Sequence, residues 1–158
     1  MVGADEVPFG IQKDVLCARS LFYREELATI DQNGLELAYK LPDTDVEAFG
    51  CLQNFIYTGQ VYGMKSGDSI PDFSVLLRAW RLAKKLKMAR LQTNLLDCMV
   101  VRRQTGCMPS VQNITDAWGN TEEGCSLRIK LIDWMVEYSM CCGFSICIYA
   151  NAFSERQS

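Results

Sequence analysis

Leu41-Pro42-Asp43-Thr44-Asp45-Val46-Glu47-Ala48-Phe49 joins two kinds of periodicity, and the fold turns on how it is read. Ahead of it, Leu35, Leu37, Tyr39 and Leu41 alternate with Glu36, Ala38 and Lys40, the period-two pattern of a half-buried strand. Pro42 ends that pattern, because it has no N–H to give to a ladder. Thr44 and Glu47 then stand at capping-box spacing, in which hydroxyl and carboxylate satisfy the free N–H groups of a helix start. Behind them Val46, Phe49, Leu52, Phe55 and Ile56 recur at helical spacing and point toward a core, as far as the stop at Tyr57-Thr58-Gly59. A strand that hands over to a capped helix within nine residues marks a mixed chain.

Working toward the amino terminus, Val7 to Gln12 alternates around Phe9 and Ile11 and reads as a further strand. Val15, Leu16 and Arg19, then Phe22, Tyr23, Leu27 and Ile30, suggest two short helices in succession, with Ser20 placed to cap the second. Asn33-Gly34 is a turn signal. Toward the carboxy terminus, residues 60 to 72 read as a loop punctuated by Gly63, Gly67 and Pro71. A strong helix runs from Phe73 through Leu76, Ala79, Trp80, Ala83 and Leu86, and another carries Leu91, Leu95, Cys98 and Met99. Pro109-Ser110 opens a shorter piece containing Ile114 and Trp118. Ser126 is placed to cap a last amphipathic helix built on Leu127, Leu131, Trp134, Met135 and Tyr138. The pattern predicts an α+β fold: a helix cluster with a small sheet and extra carboxy-terminal helices.

Composition narrows the chemistry. In 158 residues, 49% apolar and 22% charged content suits one globular domain rather than a disordered chain. A net charge of −3 weighs against nucleic acid as the main partner. No apolar run approaches the ~20 residues of a membrane helix, and Met1 to Gly10 lacks the basic and apolar regions of a secretory signal. The expectation is an intracellular protein, cytoplasmic or nuclear, without membrane contact. Eight cysteines contain no Cys-x-x-Cys pair, and there is no histidine to complete a zinc set. They are read as small buried apolar residues. The lack of histidine also excludes Ser-His-Asp and Cys-His catalysis. No catalytic residue, metal site or cofactor is expected.

Four stretches invite a sharper reading. Gly59-Gln60-Val61-Tyr62-Gly63-Met64-Lys65-Ser66 resembles a phosphate-binding loop only superficially, since its glycines are too close together and it follows a helix. Asp43, Asp45 and Glu47 could be imagined as an acid or metal cluster, but capping and the positive end of the helix dipole account for all three. Arg78, Arg81, Lys84, Lys85, Lys87 and Arg90 drift around their helix and read as a solvated face, with docking to an acidic partner as the alternative. Cys141, Cys142 and Cys147 lack the nearby cations that activate a thiol, so burial is preferred to a redox role.

Five landmarks in order give a more specific likeness. Pro8-Phe9-Gly10-Ile11-Gln12-Lys13-Asp14-Val15-Leu16-Cys17-Ala18-Arg19-Ser20-Leu21-Phe22-Tyr23 resembles the opening of BTB/POZ domains, especially their fungal branch. Leu41 to Phe49 is similar to that family's "LPEDDPEAF", and Phe55-Ile56-Tyr57-Thr58-Gly59 to its "WLYTG". Leu82-Ala83-Lys84-Lys85-Leu86-Lys87-Met88, with Leu91 and Asn94, looks like the family's "LADKLQM" helix pair. Trp118 to Arg128 is similar to the "YENTPEGSPLR" that follows the core in fungal members. Gln12 departs from the usual histidine, and members carry a further strand ahead of the position of Val2; without it one sheet edge is short and a strand-swapped dimer is not expected.

The resemblance implies a BTB/POZ domain over residues 1–105, a helical extension over 106–158, and a non-catalytic protein-interaction function. It implies protein partners: a second copy of the chain in a scaffold or self-association role, or a cullin if the chain is a ubiquitin ligase adaptor. Asp14, near Arg19, becomes a candidate interface residue by that likeness. Phe22, Tyr23, Tyr57 and Tyr62, at element ends or in a loop, are the candidate aromatic anchors, of the kind that dominate protein interfaces. A thiol-based redox protein is the reading from a different class.

Overall fold

The computed structural model describes residues 1–30, 40–63 and 70–142. The chain divides into two compact units, Met1–Met108 and Pro109–Ser158. The first holds α1 (Lys13–Arg19), α2 (Leu21–Ile30), α3 (Val46–Thr58), α4 (Phe73–Lys85) and α5 (Ala89–Gln104); the second holds α6 (Val111–Gly119) and α7 (Ser126–Cys142).

Among the described residues the architecture is all-helical, which corrects the expected α+β fold with a small sheet. Where strands were expected there are two isolated bridges, Val2 antiparallel to Val7 and Val2 parallel to Leu41. The local reason is visible in the hydrogen bonds. Val2 and Val7 exchange both N–H···O bonds at 2.9 Å across a reversal that begins at Gly3, whose φ is +75°. Pro8 follows at once and has no N–H with which to continue a ladder. The chain from Val7 to Gln12 therefore gives one bridge and then turns into α1. Of the other expected strand, Leu35 to Tyr39 lies outside the described residues; Leu41 donates to the Met1 carbonyl at 2.9 Å and accepts from the Gly3 N–H at 3.0 Å. Val2, held between two neighbours, is buried.

The helices of the first unit follow their sequence signals closely. The cap of α3 is Asp45 rather than Thr44: its carboxylate accepts from the Ala48 N–H at 2.9 Å. A carboxylate three residues from the amide it serves is as good a cap as a hydroxyl and also meets the positive helix end. At the other end Gly59 adopts φ +77°, the left-handed conformation that lets its N–H close on the Phe55 carbonyl at 2.8 Å. Phe49, Leu52, Phe55 and Ile56 are buried as their spacing predicts, whereas Val46, in the first turn, is exposed.

Helix α4 is the centre of this unit, packed against α3 and α5. That explains its breadth of apolar cover: Phe73, Val75, Leu76, Leu77, Ala79, Trp80, Leu82 and Ala83 are all buried, because two neighbouring helices must be met. Its remaining surface is a polar strip at helical spacing, Ser74, Arg78, Arg81 and Lys85. Helix α5 needs only one apolar face, and Leu91, Leu95 and Met99 supply it at four-residue intervals, each fully buried. Helices α1 and α2 form a tight corner at Ser20, and α1 packs on α3.

In the second unit, Ser110 caps α6 by accepting from the Asn113 N–H at 3.2 Å. Arg128 then ties α7 to the turn that precedes it. Its guanidinium donates to the Trp118 carbonyl at 2.6 Å, to the Thr121 hydroxyl at 2.9 Å and to the Thr121 carbonyl, and it lies 5.2 Å from the centre of the Trp118 ring. Ile114 and Ala117 of α6 and Leu127, Leu131 and Trp134 of α7 are buried.

Candidate protein-interaction surface

The five residues singled out from sequence separate into distinct environments. Tyr23 is buried and sits edge-on to Phe22, their ring centres 5.3 Å apart. Phe22 is half-buried, as is Tyr62. Tyr23 is thus a core residue of the α1–α2 corner. Asp14 is exposed in the first turn of α1. Arg19 sets its guanidinium over the Phe55 ring instead, 6.0 Å from the centroid.

Tyr57 is different. It is 49% exposed, at the last turn of α3, and its hydroxyl accepts a hydrogen bond from the Gln12 N–H at 3.2 Å. Gln12 is the residue immediately before α1, so this bond satisfies one of the free amides at that helix start and brings Tyr57 beside the turn that carries Asp14. The Gln53 side chain donates to the Gly10 carbonyl at 3.4 Å from the same face of α3. Phe9 is packed on Phe49, 4.7 Å between ring centres. Phe22 and Tyr23 meet each other in the α1–α2 corner, and the bond from Gln12 sets the exposed Tyr57 ring at the start of the helix whose first turn carries Asp14.

Two of the basic residues along and just after α4 are answered from within the chain. Arg78 reaches Asp45, the cap of α3, at 3.6 Å and Glu47 at 3.8 Å, so two of the three acids considered as a metal cluster face this guanidinium. Lys87 meets Glu25 at 2.5 Å. These are surface pairs and contribute little to stability; they do lower the free positive charge that an acidic partner would read.

Of the described cysteines, expected to be buried, Cys51 is buried and Cys17, Cys98, Cys107 and Cys125 are half-buried. Burial pushes the Cys51 thiol up to about 11, with Glu47 and Asp45 adding to the rise. Cys98 is also pushed up to about 11, again chiefly by burial and then by Asp97. Side chains of Cys141 and Cys142, and Cys147, lie outside the described residues. Because an ordinary thiol ionises near 9, the folded chain holds Cys51 and Cys98 protonated where an unfolded chain would ionise them. The stability this contributes is complete below about pH 9 and is lost as pH rises through about 11. Urea unfolding near pH 8 and near pH 10.5 checks it: the drop in midpoint should be smaller in a Cys51→Ala/Cys98→Ala variant than in the parent, and equal drops would refute it.

One surface was not singled out from sequence. Ile129, Ile132, Val136 and Met140 of α7 are 51%, 44%, 46% and 79% exposed. They recur at helical spacing on the side opposite Leu127, Leu131 and Trp134. The signal was present as a second apolar stripe, masked because the buried stripe of the same helix accounts for the apolar content.

No protein-family model, no curated protein and no solved structure matches the chain.

Proposed function

We propose that this chain is a protein-interaction module without catalytic activity of its own, related to BTB/POZ domains, and that partners dock where Tyr57 stands beside the start of α1. The observation that carries the reading is the Tyr57 ring: large, half-exposed, and already held by the bond from Gln12. An aromatic ring that is fixed before binding loses little further freedom when a partner covers it, which is why such residues act as anchors. Asp14 beside it supplies a charge for orientation. The likeness to BTB/POZ sequences supports the same reading, because its landmarks fall in order on α1 and α2, on both ends of α3, on the α4–α5 junction and on the α6–α7 turn. The raised thiols of Cys51 and Cys98 favour this class over thiol chemistry at those positions.

The test is size exclusion with light scattering on the full chain, alone and with a cullin amino-terminal region. Co-elution with the cullin would support the adaptor form of the reading, and a dimer indifferent to the cullin the self-association form. A monomer that ignores the cullin at the highest soluble concentration overturns both. For whichever complex forms at this surface, Tyr57→Ala is expected to weaken it at least about tenfold, with the urea midpoint changed only slightly because the ring is half in solvent. An unchanged affinity would remove Tyr57 from the docking surface.

A further inference from the structure

We propose that the outer strip of α4, carrying Arg78, Arg81 and Lys85, seats an extended acidic segment of a partner protein with carboxylates at alternate positions. This goes beyond the reading above, since it assigns a different surface and names the chemistry of its occupant. From Phe73 to Leu96 the chain holds six basic residues and no acidic one, although its net charge is −3. The folding of α4 sorts those cations. Its buried positions take up the arc that meets α3 and α5. Arg78, Arg81 and Lys85 stand together on the remaining arc, all exposed, along about 10 Å of helix. Six cations that drift around the chain as a set are in register as a set of three.

The first position of the strip already carries acids of this chain. Arg78 faces Asp45 and Glu47, two carboxylates separated by one residue. Arg81 and Lys85 meet no carboxylate among the described residues, so the rest of the strip is left over from folding. They stand one helical turn apart, with Cβ atoms about 5–6 Å from each other. Alternate residues of an extended chain lie about 6.6 Å apart and project to the same side. An acid-x-acid segment laid along α4 thus brings one carboxylate to each cation. The surroundings fit polypeptide better than nucleic acid or lipid. Trp80 is buried, so α4 offers no exposed ring on which a base could stack, and three cations are too few for the run of phosphate contacts that holds a duplex. Nor does α4 expose a large apolar side chain that could enter a bilayer.

Fluorescence anisotropy with the full chain tests this, using a labelled peptide of alternating glutamate and serine and its glutamine counterpart. The glutamate peptide should bind at low salt and weaken as salt is raised, and the glutamine peptide should not bind. Arg81→Glu/Lys85→Glu should weaken binding at least about tenfold, since each reversal turns an attraction into a repulsion. Arg81→Gln/Lys85→Gln, which only removes the charges, should weaken it less, and circular dichroism checks that each variant keeps its helices. Lys85→Glu alone is compared with Lys130→Glu, the same change at an exposed lysine of α7; only the first should matter. The proposal is overturned if the glutamate peptide does not bind at low salt, or if Lys85→Glu and Lys130→Glu weaken it equally. It is also overturned if a DNA duplex or phosphatidylserine vesicles bind more tightly than the peptide and lose that binding in Arg81→Glu/Lys85→Glu. Tyr57→Ala should leave peptide binding unchanged, so the two surfaces fail independently.

Discussion

Leu95→Ala is expected to lower the unfolding free energy of the first unit by about 2–5 kcal/mol, the range for emptying a fully buried leucine site. Leu95 is the middle of the three fully buried residues on the single apolar face of α5, the face that leaves no alternative support if it is thinned. Helix α5 packs on α4, and α4 is enclosed by α3 on its other side, so the space cannot be refilled from solvent. Removing three carbons there forfeits both their transfer from water and their contacts with the walls of the cavity. Alanine is the better helix former by a few tenths of a kcal/mol, which slightly offsets the loss. Val101→Ala on the same helix is the control: its side chain is exposed, and its effect should stay within about 0.5 kcal/mol. Urea unfolding followed by circular dichroism separates the two. A loss below about 1 kcal/mol for Leu95→Ala would mean that the α4–α5 contact is looser than its burial indicates. Set against total stabilities of about 5–15 kcal/mol for small domains, the expected loss brings the unit near its unfolding threshold at ordinary temperature.

The helices were legible because their information is local. The buried stripe of α5 and the wide apolar arc of α4 follow from side-chain spacing alone, and Gly59 marks the end of α3 where only a left-handed residue can close it. The strand reading failed because a ladder is a property of two segments. Val7 to Gln12 alternates acceptably, yet Val2 supplies it one bridge and Pro8 supplies nothing, and no spacing rule in the segment itself records that. The cap of α3 moved by one residue for a related reason: Thr44 and Asp45 both suit the role, and the choice depends on where the first turn starts. Sequence reasoning placed Tyr23 and Tyr57 together as anchors because both are tyrosines at helix ends. Only the packing of the α1–α2 corner separates the buried ring from the half-exposed one. The outer stripe of α7 was missed because a helix apolar on two faces has no single preferred direction, so its second face is silent until the first has been assigned to a core.

Ser20→Ala is the second large expected effect, about 2–4 kcal/mol, from a change of one oxygen atom. Ser20 is fully buried and joins three elements. Its N–H closes α1 on the Leu16 carbonyl at 2.9 Å, and its carbonyl opens α2 by accepting from the Arg24 N–H at 3.1 Å. Its hydroxyl accepts from the Tyr23 N–H at 3.3 Å, which makes it the cap of α2, and donates to the Leu86 carbonyl at 2.7 Å at the end of α4. Alanine keeps the backbone bonds and removes both bonds of the hydroxyl. The first loss is that of an ordinary cap, about 0.5–2 kcal/mol. The second leaves a buried carbonyl short of a partner, which adds about 1–3 kcal/mol because water does not reach Leu86. Two readouts distinguish this account from general loosening. The urea midpoint should fall, and amide exchange at Tyr23 should accelerate more than at Ala48, whose cap at Asp45 is untouched. Equal acceleration at both amides would assign the loss to the unit as a whole. A loss below about 0.5 kcal/mol with Tyr23 still protected would show that the corner between α1, α2 and α4 is held by packing without this hydroxyl.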